Sequence, residues 1–174
     1  ATQGTLVDLK FESNLLTLEN DVNFSKLEFL LDAYLSPAKV FTINPFVMFG
    51  LGDKTTPKAE FWGLGGQDMF YGMREYEQIG RQIFVSSLEF RYKLPFELFF
   101  DTYASFRYDI GGIWREPEQI KFANLRQGIG ANLSFDTPVG PAKFSLGNSF
   151  YFLKNPDRVI FGPLIGYFSI GINI

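Results

Sequence analysis

The sequence predicts an all-β chain, a transmembrane antiparallel β-barrel with eight strands per chain, either closed alone or forming half of a sixteen-stranded barrel. Three observations carry this. Eight segments alternate apolar and polar residues with period two, as a strand with one greasy face and one polar face must. Short turns alternate with long connections along the chain, so that loops sort to one side. Within the strands, nearly all Lys, Arg, Asp and Glu share a face with Ser, Gly and Asn. Composition agrees: the 174 residues include 21 Phe and 8 Tyr, yet mean hydropathy is only +0.01. Apolar and polar residues must therefore be interleaved.

The first segment, Thr5 to Ser13, sets Val7, Leu9 and Phe11 against Asp8, Lys10 and Glu12. The second, Phe24 to Leu35, sets Leu27, Phe29, Leu31, Ala33 and Leu35 against Lys26, Glu28, Leu30, Asp32 and Tyr34. In the third, Val40 to Leu51, Phe41, Ile43, Val47, Phe49 and Leu51 oppose Thr42, Asn44, Phe46 and Met48. Pro45 cannot donate to a ladder, which predicts an edge-like or bulged spot there. The fourth, Gln82 to Leu94, carries Phe84, Leu88, Phe90, Tyr92 and Leu94 against Val85, Ser87, Glu89, Arg91 and Lys93.

The fifth, Leu98 to Ile110, opposes Phe100, Ala104, Phe106, Tyr108 and Ile110 to Asp101, Tyr103, Ser105, Arg107 and Asp109. The sixth, Arg126 to Asp136, opposes Ile129, Ala131, Leu133 and Phe135 to Gly128, Gly130, Asn132, Ser134 and Asp136. The seventh, Lys143 to Phe152, places Phe144, Leu146, Phe150 and Phe152 against Lys143, Ser145, Gly147, Ser149 and Tyr151. The last, Leu164 to Ile174, has Phe168, Ile170, Ile172 and Ile174 on one face, and Tyr167, Ser169, Gly171 and Asn173 on the other. No helical pattern of comparable quality occurs.

Short turns are predicted at Ser36 to Lys39, near Pro95 to Glu97, and at Thr137 to Pro141. Long connections are predicted at Asn14 to Asn23, Asp53 to Arg81, Gly111 to Leu125 and Lys154 to Pro163. A soluble barrel has no reason to sort its loops in this way. The alternation alone fits either solvent, but the Phe, Leu and Ile band is too bulky for one eight-stranded interior, which barely holds side chains. Those residues are therefore expected to face lipid. The competing soluble reading, a lipocalin-type carrier, has only Gly112-Ile-Trp114 to support it, and that Gly-X-Trp signature belongs on a first strand.

Several chemistries are excluded by residue type. There is no Cys and no His, which removes disulfides, imidazole-assisted nucleophiles, and His- or Cys-ligated metals. A net charge of −3 with pI near 5.0 argues against nucleic acid, whose phosphates need excess Lys and Arg. Ser149, in Gly147-Asn-Ser-Phe-Tyr151, lacks the second Gly of a nucleophile elbow. Glu75 with Glu77, or Glu116 with Glu118, could bind a cation, but exposed loop acids are ordinarily just solvated. No enzymatic activity, cofactor or metal is expected. No apolar run approaches the ~20 residues of a spanning helix. The N-terminus shows no basic segment followed by an apolar core, so the chain reads as a mature form from Ala1 or a piece of something longer.

Several segments in order resemble the BamA/TamA-type outer-membrane superfamily, the bacterial surface antigen barrels. Leu64-Gly-Gly66 precedes Phe70-Tyr-Gly-Met73, similar to the family's Gly-Gly and Arg-Gly-aromatic loop motif. Ser87-Leu-Glu-Phe-Arg-Tyr92 resembles its Glu-aromatic-Arg strand, and Asp109-Ile-Gly111 its Asp-X-Gly. Leu125 to Gly130 followed by Asp136 to Pro141 resembles its penultimate periplasmic hairpin. Within the superfamily, Phe70 to Glu75 looks closest to barrels fused to patatin-like phospholipases. Three departures stand out. Tyr71 occupies the place of the motif's Arg, with Arg74 as the nearest stand-in; Ile174 replaces the usual terminal aromatic; and no POTRA-like or patatin domain stands ahead of the strands in these residues.

The resemblance implies a bacterial outer-membrane barrel working in outer-membrane protein assembly or protein translocation, with client outer-membrane proteins as partners. The other reading is a passive anchor or pore, including the barrel of a patatin-like phospholipase without its enzyme domain. The inward charges Glu89, Arg91, Arg107 and Asp109 read either as a structural lumen network, in which each buried charge needs a partner, or, as the resemblance implies, as the docking site of the long 53–81 loop through its motif Tyr71, Gly72, Met73 and Arg74. Arg74 is then expected to meet Asp109 or Glu89. A docked loop of this size needs more than eight strands around it, which points to a homodimer or to a missing N-terminal half.

Overall fold

A computed structural model describes residues 3–14, 23–95, 100–122, 125–138, 140–154 and 157–171. Its main element is one sheet of eight strands: β1 (Gly4–Asn14), β2 (Phe24–Ala38), β3 (Phe41–Gly52), β6 (Gln82–Lys93), β7 (Thr102–Trp114), β8 (Arg126–Thr137), β9 (Gly140–Lys154) and β10 (Asp157–Ile170). They lie side by side in that order, and every neighbouring pair is antiparallel. β4 (Trp62–Leu64) and β5 (Gln78–Gly80) form a small hairpin within the long connection between β3 and β6. Among the described residues β1 pairs only with β2 and β10 only with β9, so the sheet is open. Ile172 and Ile174 lie outside the described residues, as do residues 15–22 and 96–99 of two predicted connections.

Burial is inverted relative to a protein folded in water. Ser87, Glu89, Ser105, Arg107, Asp109, Ser145 and Ser149 are buried, while Phe11, Phe106, Phe161, Leu164 and Phe168 are at least half exposed. Alternation puts the first set on one face and the second on the other. A two-faced antiparallel sheet that hides its charges and shows its aromatics is suited to lipid. Arg in place of Phe106, which pairs with Phe90 across β6–β7, is therefore expected to lower unfolding stability in bilayers by ~2–4 kcal/mol. A loss within ~0.5 kcal/mol, normal for an exposed site in water, would place that face in water instead.

Four expectations need correction. The fifth strand does not stop at Ile110: Gly111 to Trp114 continue β7, pairing with Val85, Phe84, Ile83 and Gln82. The Gly111-Gly112 pair looks like a loop in sequence. In the fold, a Cβ on Gly111 would lie 2.7 Å from the Phe84 carbonyl and 3.3 Å from the Phe70 ring, so glycine serves close packing rather than a turn.

The predicted long connection from Lys154 to Pro163 is mostly strand, since Asp157 to Phe161 pair with Lys154 to Phe150. The ladder then shifts register between Phe161 and Leu164, and the Asn148 side-chain amide donates to the Gly162 carbonyl at 2.8 Å. That bond lets a Gly-Pro bulge sit within a paired strand. The β2–β3 turn also falls later than expected, at Lys39-Val40.

Pro45 is neither at an edge nor at the bulge. β3 lies between β2 and β6, and the Pro45↔Leu88 pair is continuous with its neighbours. On the β2 side the pairing passes from Asp32↔Phe46 to Leu35↔Ile43. There the Asn44 side chain donates to the Ala33 carbonyl at 2.8 Å and to Asp32 at 2.6 Å. A side-chain amide thus supplies a donor where proline has none.

Candidate functional site

The polar face of β6 to β9 is built to receive a chain segment. Alternation brings Glu89 and Arg91 of β6 to the same face as Arg107 and Asp109 of β7, with Glu89 opposite Arg107 and Ser87 opposite Asp109. The four charges resolve into two pairs along the strands. Arg91 Nη2 donates to Glu89 at 3.2 Å, and Arg107 Nε lies 2.8 Å from Asp109 Oδ1. Asp109 is fully buried and Arg107 nearly so, so each requires the other.

Beside these charges the face is nearly bare. Across β7–β8, Gly130 faces Arg107 and Gly128 faces Asp109; across β8–β9, Gly130 faces Gly147. These three glycines leave a trough in which side chains would collide. A Cβ on Gly130 would overlap the Tyr71 ring, and one on Gly147 would lie 2.8 Å from Tyr71 Cβ and from the Gly72 nitrogen.

The tip of the 53–81 connection fills this trough. Phe70, Tyr71 and Met73 are buried. The tip is closed by its own backbone, with Phe70 N donating to Gly66 O and Gly66 N to Met73 O, both at 3.0 Å. Gly65, Gly66 and Gly72 have positive φ, which suits residues without a Cβ. Tyr71 N donates to Asp109 Oδ2 at 2.8 Å, and the Arg107 guanidinium lies 4.1 Å from the Tyr71 ring centroid. Arg107 Nη1 also donates to the carbonyls of Gln67 and Asp68 at 3.2 Å each. One arginine therefore neutralises the strand carboxylate, caps two loop carbonyls and covers the loop aromatic.

Further bonds fix the tip sideways. Gln67 donates to Ser145 Oγ at 2.8 Å, and Tyr71 Oη to the same oxygen at 3.3 Å. The Tyr167 hydroxyl of β10 accepts from Met73 N at 3.1 Å and donates to Met73 O at 2.7 Å, while its ring stacks on Tyr71. The loop is thereby bolted to the last strand as well as to β7. Above the tip, Trp62, Leu64, Phe70 and Met73 pack with Met48, Ile83 and Val85 into an apolar cluster. Met48 and Val85 appear in the sequence as misfits on a polar face; the docked loop is what they pack against.

Each end of the connection is tied down. The Asp53 carboxylate accepts from Ser25 N at 2.7 Å and from the Thr55 N–H and hydroxyl at 3.0 and 2.8 Å. Burial pulls its pKa upward, but these bonds outweigh it and hold the group below the ordinary carboxylate value. Trp62 Nε1 donates to Glu28 at 3.0 Å, and Arg81 reaches Glu116 at 3.0 Å and the Lys54 carbonyl at 2.8 Å.

Of the motif residues, Tyr71, Gly72 and Met73 lie in the trough, but Arg74 does not. It is exposed, its backbone N–H donates to Glu77 at 2.9 Å, and the cation beside Asp109 is Arg107 from the same strand. The expected Arg74 partnership is corrected accordingly: the chain turns back at Met73, so position 74 points away from the trough. Glu116 and Glu118 pair with Arg81 and Lys54, and among the described residues no group of three or more metal-ligating side chains comes together. Ser149 is buried beneath Gly72. Sequence reasoning missed Ser145, Tyr167 and the glycine trough as parts of this site. Their signal was the run of small residues on one face of β8 and β9.

Compared with known families, residues 1–173 match the Omp85 superfamily domain. The match is to the superfamily as a whole and does not single out the patatin-fused barrels. A comparison with curated proteins finds no match.

Proposed function

The chain belongs to the Omp85 superfamily, whose barrels are bacterial outer-membrane proteins of membrane-protein assembly and translocation, and from that premise we propose that this chain works at the edges of its sheet rather than through an open pore. It acts in the outer membrane on client outer-membrane proteins. The supporting observation is the occupied polar face. Phe70 to Met73 fill the trough on β7 to β9, and an apolar cluster packs above it. A passive pore would keep that face wet. Among the described residues the outer edges of β1 and β10 have no strand partner, and unpaired backbone is very costly in lipid. Two copies joined β1 to β10 at both seams would leave no edge, in the commonest symmetry of oligomers.

Reconstitution in liposomes tests the reading. The chain is expected to speed insertion of an unfolded client barrel while conducting little at rest. Steady ion conductance without any effect on insertion would instead make it a pore.

A further inference from the structure

β10 is an edge strand in two parts. Asp157 to Phe161 and Leu164 to Ile170 each pair with β9, and the ladder shifts between them. At the shift Pro163 has no N–H to give, and the Gly162 carbonyl is held by the Asn148 side chain. A bulge of this kind interrupts the ladder, so the lower part, nearer the short turns, can open without the upper.

From inside the sheet, the lower part is held through one side chain. Alternation turns Ile165, Tyr167 and Ser169 inward. Between them and the docked tip lies a half-open cavity of about 470 Å³, with Tyr167 and Ser169 on one wall and Glu75 and Tyr76 on another. Packing across this gap is loose. The Tyr167 hydroxyl crosses it, accepting from Met73 N at 3.1 Å and donating to Met73 O at 2.7 Å. A hydroxyl can donate and accept at once, so this one satisfies both backbone groups of Met73, as a neighbouring strand would. Among the described residues, the hydrogen bonds that join β10 to anything beyond β9 run through it. The ring rests on Tyr71 with centroids 5.8 Å apart, and Tyr71 is itself anchored to Asp109.

We propose that Tyr167 is a positioning residue through which the docked loop braces the lower part of β10, so that undocking the tip frees this edge of the sheet and docking fixes it. Such a coupling is reciprocal: what loosens the edge also loosens the tip. As a control on the edge at which the chain works, it rests on the reading proposed above. The brace itself is measured without a client, so each can fail alone.

The test uses the whole chain folded in detergent, and reads amide hydrogen exchange in β10 beside trypsin cleavage after Arg74. Tyr167→Phe keeps the ring and removes both bonds to Met73. It should speed exchange in Leu164 to Ile170 about tenfold, a size typical of linked sites, and leave Asp157 to Phe161 as in the parent. Cleavage after Arg74 should rise by a similar factor. Gly72→Ala, which unseats the tip from β9, should loosen the same lower stretch of β10. With the tip already unseated, adding Tyr167→Phe should change exchange there by less than about twofold, whereas a hydroxyl that only packs locally would add its full effect again. Faster cleavage with unchanged exchange in Leu164 to Ile170 overturns the brace, as does equally faster exchange on both sides of the bulge. Client insertion into liposomes checks the edge reading separately: a parent chain that inserts no client overturns that reading, while the exchange results still decide the brace.

Discussion

Replacing Arg107 with Met should lower unfolding stability by about 3–5 kcal/mol, the cost of leaving a buried charge without its partner. Asp109 is fully buried and holds both Arg107 and the Tyr71 N–H. Arg107 also binds the carbonyls of Gln67 and Asp68, so its loss releases the loop as well as the charge. The Arg107→Met/Asp109→Asn double variant should lose less than Arg107→Met, because no buried charge is left uncompensated and Asn still offers Tyr71 an acceptor. Arg74→Ala and Arg115→Ala, at exposed loop positions, should each stay within ~0.5 kcal/mol. Denaturant unfolding of the refolded protein measures all four. If Arg74→Ala cost as much as Arg107→Met, the loop's anchor would be its own charge after all.

Gly72→Ala should be of similar size. Gly72 has φ +74°, where an L-residue costs about 1–2 kcal/mol. Its new methyl would also overlap the backbone of Asn148 and Ser149 on β9, and overpacking of that kind costs about 1–3 kcal/mol. The sum is roughly 2–5 kcal/mol against the docked loop. The sheet's ladders are untouched, so the variant should keep its sheet signal while trypsin cuts after Arg74 much faster than in the parent. A loop equally resistant in both proteins would show that Gly72 does not hold the tip against β9.

Period-two alternation, together with the segregation of charge from Phe, Leu and Ile, makes the strands and their faces legible without coordinates. Side-chain direction in a strand is a local property. Thus Glu89, Arg91, Arg107 and Asp109 could be placed on one face from their spacing alone. The ends of strands were less legible wherever glycine or proline has a meaning that depends on neighbours. Gly111-Gly112 and Gly162-Pro163 look like loops, yet they continue β7 and β10, because a docked Phe70 and the Asn148 amide make room and bonds for them.

The amino-acid sequence by itself determined that this chain is a two-faced antiparallel sheet for a membrane, with an inward charge cluster and a long glycine-bearing loop. Only the tertiary structure decided how they combine. Asp109 takes its cation from Arg107 two residues before it, Tyr71 contributes a ring and an N–H where the motif has a charge, and Tyr167, some ninety residues later, closes over Met73. The reason is physical: which face a side chain occupies depends on its own strand, whereas which groups meet across a trough depends on the register of four strands at once.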